Sequence, residues 1–260
     1  MASRRPVFFL SHGSPMHAVE PSAAATAWAV EAAQLPVPAA VLMVSAHWES
    51  NLPLLGGAAA PETIHDFGGF PAELYRLRYP AAGAPEIARQ ALALLREAGF
   101  PAGIEGCRGL DHGAWVPMMK MYPQADVPVL QLSVQPGLDA AHHLALGAAL
   151  APLREQGVLI VGSGHMTHNL RDWFHGASGG AGAYAREFRD WVATRLASGD
   201  SRSLLEWAYK APHAQRAHPT PDHFLPLFVA LGAAGEGAQG KCFHEAFERG
   251  TLAMDAWRWD

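Results

Sequence analysis

Cysteine is nearly absent from this 260-residue chain: Cys107 and Cys242 stand far apart and outside any CxxC spacing. Neither a disulfide framework nor a cysteine zinc module is therefore available, and a reducing compartment, the cytoplasm, is the expected location. Lysine is scarce too, with only Lys120, Lys210 and Lys241. Nineteen basic against 24 acidic residues leave a net charge of -5, and no basic run exceeds Arg4-Arg5, a balance that argues against a nucleic-acid groove. No apolar stretch approaches the roughly 18 residues of a membrane span, and the run 6–10 is too short for a signal-peptide core. The phosphate and dinucleotide loops GxxxxGKS/T and GxGxxG are missing, as is the HExxH of zinc proteases. Ser163, in Val161-Gly162-Ser163-Gly164-His165, lacks the glycine pattern of a GxSxG nucleophile elbow.

What is present is an ordinary globular composition, half apolar, 17% charged and 9% aromatic, sufficient for one compact domain over residues 1–260. Short apolar runs alternate with helical periodicity, the pattern of an α/β layer fold around a largely parallel sheet. Strands are expected at 7–10, 41–44, 127–134 and 158–161, the last bounded by Gly157 and Gly162. Helices are expected over 85–98, 115–122, 139–156 and 184–196, and from about Asp222 onward. The segments 176–182 and 198–202 read as surface loops by composition.

The unusual count is 14 histidines. His12, His47 and the pair His165 and His168 each follow a predicted strand, and in an open parallel sheet those strand ends share the edge where ligands bind. His223 follows Pro219-Thr220-Pro221-Asp222 at the expected first turn of a helix. Converging imidazoles without cysteine suit zinc or non-haem iron. A single histidine after a strand is more often a satisfied loop residue, but several at equivalent positions are poorly explained that way. His65 lies in Thr63-Ile64-His65-Asp66-Phe67-Gly68-Gly69-Phe70, where two glycines permit close approach to a ligand and the phenylalanines offer an apolar wall. Beside His112, Asp111 is either a carboxylate that orients the ring or a helix cap. His17, His142, His143, His175, His213, His218 and His244 have no converging context and read as surface or helix residues.

Six segments in order carry a family resemblance: His12-Gly13-Ser14-Pro15, Ser45-Ala46-His47-Trp48, the His65 segment above, Leu110-Asp111-His112-Gly113, His168-Asn169-Leu170 and Pro219-Thr220-Pro221-Asp222-His223. From about Pro6 to Met254 the chain resembles the DODA-type extradiol aromatic ring-opening dioxygenases, a branch of the class III, LigB-like enzymes. The resemblance implies a three-layer α/β/α fold with a mixed, largely parallel sheet, one divalent metal per chain, and insertion of both atoms of O₂ into a catechol such as DOPA. It implies His12, His47 and His223 as metal ligands. It makes His168 the acid/base, at a position that in zinc-loaded relatives also approaches the metal, with an ordinary imidazole pKa near 6.5 offering both proton states. His112 and His65 would be donors toward dioxygen or substrate, and Trp48, Phe67, Phe70 and Trp115 would enclose the flat ring. The wider group uses two histidines and a carboxylate, whereas the third position here is His223, with Asp222 expected to point elsewhere on a helix. Fe(II) suits the dioxygenase. Zn(II) in the same site makes the alternative a zinc-dependent hydrolase whose bound water is the nucleophile. Arg76, Arg78 and Arg171 are candidates for holding the carboxylate of a DOPA-like substrate.

Overall fold

Continuous apolar runs, buried on both faces, form the centre of the sheet, as expected where helices cover a parallel sheet on each side. The computed structural model describes residues 4–175 and 182–260. Its strands are β1 (Val7–Ser11), β2 (Ala40–Glu49), β3 (Leu54–Gly56), β4 (Gly103–Glu105), β5 (Val129–Val134), β6 (Val158–Gly164), β7 (Lys241–His244), β8 (Phe247–Glu248), β9 (Leu252–Ala253) and β10 (Ala256–Trp259). Eight of them make one sheet in the order β4-β3-β5-β2-β6-β1-β10-β7, while β8 and β9 form a separate hairpin. Strands β5, β2, β6 and β1 are mutually parallel. The joins β5–β3, β1–β10 and β10–β7 are antiparallel, so the sheet is mixed with a parallel centre.

The helices are α1 (Ala23–Ala33), α2 (Pro85–Glu97), α3 (His112–Met121), α4 (Ala140–Leu150), α5 (Leu170–His175), α6 (Ala183–Ser198), the short α7 (Ser201–Leu205), α8 (Trp207–Lys210) and α9 (Ala214–Ala217), and α10 (Leu225–Ala234). Alternate residues of the central strands serve opposite cores. Phe9, Leu42 and Ile160 pack with α2, α4, α6 and α10. Phe8, Leu10, Met43 and Val161 pack with α1 and α3 around Trp28 and Trp115. The result is the three-layer α/β/α architecture.

The expected strands and helices are present, with differences that have local causes. Strand β2 runs on to Glu49 because, after its pairing with β6 ends at Ser45 and its register with β5 shifts, it pairs with β5 again at Glu49↔Val134. The helix expected over 139–156 is capped by the Asp139 carboxylate on His142 N at 2.9 Å, then tightens to a 3₁₀ turn, Ala151–Gln156, where Pro152 interrupts it. The 198–202 loop is shorter than expected because Asp200 accepts from Ser203 N at 3.1 Å and starts α7. The loop expected at 176–182 lies, apart from Gly182, outside the described residues. Three of the histidines read as surface or helix residues are buried. His143 bridges Asp139 O and Gln135 N, His218 donates to Met166 O at 3.0 Å, and His17 faces Glu248 at 2.9 Å.

Two glycines in β6 let α10 lie against the sheet. A Cβ on Gly162 would come within 2.4 Å of Pro226 O, and one on Gly164 within 2.1 Å of His223 O. Because that space is free of side chain, His165 N donates to His223 O at 2.7 Å and ties the turn before α10 to the end of β6. Gly164→Ala should therefore destabilise the protein by at least about 2 kcal/mol, in the range of overpacked cores, read as a lowered midpoint of urea unfolding. Unchanged stability would show that the turn can move away at little cost.

Candidate metal centre and substrate cavity

The sheet edge at the C-terminal ends of β1, β2 and β6 gathers the histidines. His12 directly follows β1, His47 lies near the end of β2, and His165 and His168 follow β6. His223 is not in the first turn of α10 as expected. It sits in the turn just before that helix, held there by the bond from His165 N.

The Nε2 atoms of His12 and His47 are 3.0 Å apart and those of His47 and His223 are 3.3 Å apart. These three residues each offer a ligand atom within 4.8 Å of the others. Nitrogens about 2.1 Å from a shared ion, at angles of roughly 90° to 110°, are separated by about 3.0 to 3.4 Å, so the spacing fits a metal.

The opposite ring nitrogens fix the tautomers. Ser163 Oγ donates to Gly113 O and faces His12 Nδ1 at 3.0 Å, leaving its lone pair to accept the Nδ1 proton. His223 Nδ1 donates to Asp222, and His47 Nδ1 is 3.5 Å from Asp66 Oδ2. With Nδ1 protonated, His12 and His223 present Nε2 lone pairs to the common centre, and the Asp66 carboxylate near His47 Nδ1 favours the same tautomer there. Asp222 does not point elsewhere: in a turn, unlike a helix, adjacent side chains can face each other. The first set of ligands is all imidazole, but two carboxylates stand behind it.

Burial keeps these rings neutral. His12 and His223 are held well below the usual histidine range by desolvation, reinforced by neighbouring histidines. Burial is also the largest influence on His47, brought down to about 4.

His112 lies 3.9 Å from His47, ring centre to ring centre. The carboxylate that orients it is Asp66, not Asp111. Asp66 accepts from His112 N and from His112 Nδ1, both at 2.9 Å, which leaves Nε2 as the ring's remaining group. Burial opposes the charge on Asp66, but the bonds from His112 outweigh it and bring the carboxyl down to about 2. Asp111 instead starts α3 without a side-chain cap and is buried among Ser45, Arg108 and Gln131, beneath β2.

His168 is not in the group of His12, His47 and His223, but with Asp222 and His223 it forms another whose possible ligand atoms lie within 4.8 Å of one another. Its ring stacks on His223, with centres 3.4 Å apart and planes at 11°. Burial takes its pKa down to about 4, so the expected balance of proton states near neutral pH does not hold for the metal-free site. His165, counted with His168 among the strand-end histidines, accepts from Gly13 N at 3.0 Å and braces the turn after His12.

A cavity of about 380 Å³ opens over this cluster, enough for a small aromatic molecule. Its walls include His12, His47, His112, His168 and His223, together with Phe67, Phe70, Trp173 and Phe174. His65 lies one layer back. Its ring centre is 5.8 Å from that of Phe67 and its Nε2 is 3.1 Å from Leu77 O, so it supports the wall rather than lining the cavity. Trp48 and Trp115 are likewise buried elsewhere: Trp48 packs on Arg108, and Trp115 donates to Ile64 O at 2.9 Å. Adjacent residues on a strand point to opposite faces, and His47 takes the cavity side. Trp173 and Phe174 were missed because α5 lies well past the strand end. Asp66 was legible as the neighbour of His65, but only the tertiary contact with His112 reveals its task.

The chain matches the family model described as the catalytic LigB subunit of aromatic ring-opening dioxygenase over residues 6–253. It is 43% identical to a 4,5-DOPA dioxygenase extradiol of Beta vulgaris over 96% of this chain and 95% of that protein. It is 38% identical to a protein of the same name from Escherichia coli K12, over 97% and 94%. The crystal structure of an uncharacterized protein from Escherichia coli K12 superposes with a TM-score of 0.81 at 32% identity, covering 98% of this chain and 99% of that one.

If the three converged nitrogens form the metal site, elemental analysis should find one divalent ion per chain. His12→Ala, His47→Ala and His223→Ala should each lose most of it, while His168→Ala should retain it. Only neutral imidazole binds a metal, so protons compete as pH falls. Occupancy should hold at neutral pH and be lost as pH drops toward about 4, where His47 gains its proton.

Proposed function

The chain belongs to the LigB family of aromatic ring-opening dioxygenases, and on that premise we propose that it opens the ring of a catechol such as DOPA by extradiol insertion of O₂. The observation that carries this reading is the convergence of three imidazole lone pairs at the floor of an aromatic-walled cavity. His12, His47 and His223 would hold one divalent ion. Iron(II) there would supply a Lewis acid for the catechol and an electron donor for O₂. The three-histidine set leaves room for both reactants.

The chain's own groups account for binding and proton transfer. Phe67 and Phe70 pack on each other as an apolar wall against which a flat ring can lie and which excludes water. His168, neutral at working pH, accepts a proton from one catechol hydroxyl at an imidazole nitrogen. As a weak base it gives that proton back readily when the ring opens. His112, fixed by Asp66 through Nδ1, turns its Nε2 toward the reactants as a donor or acceptor. His65 serves in this reading by holding Phe67 and the loop in place. The hydrolase alternative is not favoured, because the relatives share a dioxygenase name over nearly the whole chain. No helix among the described residues is long and apolar enough to cross a membrane. We place the enzyme in the cytoplasm, where the exposed Cys107 and the half-buried Cys242 stay reduced.

Loss of His168 separates chemistry from binding. His168→Ala, loaded anaerobically with iron(II), should keep its iron and its catechol affinity while ring opening slows by roughly 10²-fold to 10⁴-fold. Iron content, affinity and the yellow product would be measured on the same sample, and near wild-type turnover would refute the role. Zinc fits the same nitrogens but donates no electron, so turnover across preparations should follow iron and not total metal.

A further inference from the structure

Beside the metal cavity lies a second hollow of about 580 Å³, and the two share Ser14, Phe70, Trp173 and Glu248 as walls. A ring whose hydroxyls face the histidines must carry its substituent away from them, and this hollow adjoins the cavity there. Its outer wall is the β8–β9 hairpin, with Glu248 and Arg249 at the turn.

Several donors of this wall lack acceptors. Arg249 makes no ion pair with any carboxylate among the described residues, and its guanidinium lies 4.1 Å from the Trp173 ring centre. Trp173 Nε1, which can only donate, is buried without a hydrogen-bond partner, and so is His244 Nε2. The turn itself is costly: Arg249 and Gly250 both have positive φ, 47° and 75°. Such a turn ordinarily takes Asn-Gly, and strain of this kind concentrates at functional sites. Negative charge is present too, since Glu20 and Glu248 line the same hollow, the latter beside His17 at 2.9 Å. A hollow with an unpaired guanidinium and a free N–H group on one side and carboxylates on the other suits a zwitterion. Arg76, Arg78 and Arg171, the candidates read from the sequence, line neither hollow.

We propose that this hollow recognises the amino-acid tail of the catechol, with Arg249 and the Trp173 N–H receiving the carboxylate and Glu248 receiving the ammonium. This rests on the extradiol reading only in that the ring must sit in the metal cavity.

The test is calorimetric binding to the zinc-loaded protein, which needs no turnover, with L-DOPA, dopamine and 4-methylcatechol as ligands. Arg249→Asn preserves the residue type the turn prefers, so folding is not at stake. It should weaken L-DOPA binding tenfold or more, the usual scale for a lost charge-assisted hydrogen bond, and leave dopamine and 4-methylcatechol within twofold. Arg249→Lys should recover part of the L-DOPA affinity. Equal losses for all three ligands would show a merely structural role, and unchanged L-DOPA binding would remove Arg249 from recognition; either overturns the proposal. Wild-type protein that binds 4-methylcatechol as tightly as L-DOPA refutes the subsite alone. Wild-type protein that binds neither refutes the subsite and the catechol reading together.

Discussion

Unprotonated imidazole nitrogens only 3.0 and 3.3 Å apart repel one another unless a cation lies between them. The rest of the site is arranged to impose that proximity. Protonation would relieve it, but burial makes the charged form of His12 and His223 unfavourable. Ring rotation would relieve it too, but Ser163 and Asp222 hold the Nδ1 protons of His12 and His223. The cluster is therefore preorganised, and metal binding need not first displace protons at neutral pH.

The force that holds the rings in place comes from the fold. His12 and His47 are carried by neighbouring parts of a rigid parallel sheet, with β6 between β1 and β2. His223 comes from a turn pinned to β6 where Gly164 leaves room for its backbone. Gly113, at the start of α3, has a similar function: a Cβ there would come within 2.6 Å of Ser45 Oγ and 3.1 Å of the His47 ring. Small residues thus let α3 and α10 close on the strand ends from opposite faces. Division of labour follows, with the sheet placing ligands and the loops supplying walls, the common arrangement for sites on α/β sheets.

Electrostatics and shape are divided in the same way. Asp66 and Asp222 place negative charge behind the imidazoles, while the cavity above is mostly aromatic. A cluster of imidazoles backed by carboxylates but roofed by hydrocarbon suits a cation and excludes bulk water, which strengthens the interactions inside. The cavity's polar neighbour, walled by Glu248 and Arg249, is where charge complementarity for a side chain can be read without exposing the reacting ring.

The layer order, the parallel central strands and the histidines at their ends were legible in the sequence because each rests on local pattern: apolar runs, turn residues and position relative to a strand. Position relative to a strand brought out His12, His47, His165 and His168 alike, and the family resemblance singled out His12, His47 and His223. What the His168 ring faces was not legible, since it stacks on another ring 55 residues away. For His112 the sequence offered only the adjacent Asp111, as an orienting carboxylate or a helix cap, because chain proximity is the only distance a sequence displays; the carboxylate that does orient the ring, Asp66, reaches it from a loop 46 residues earlier. Trp48 and Trp115 carried the right chemistry but point into the packing, while Trp173 and Phe174 reach the cavity from a helix whose orientation no local pattern states. Residue types and their spacing along the chain determined what chemistry was available. Which side chains share a volume of a few hundred Å³ was decided by long-range packing, whose contacts are set by the whole fold and not by neighbouring residues.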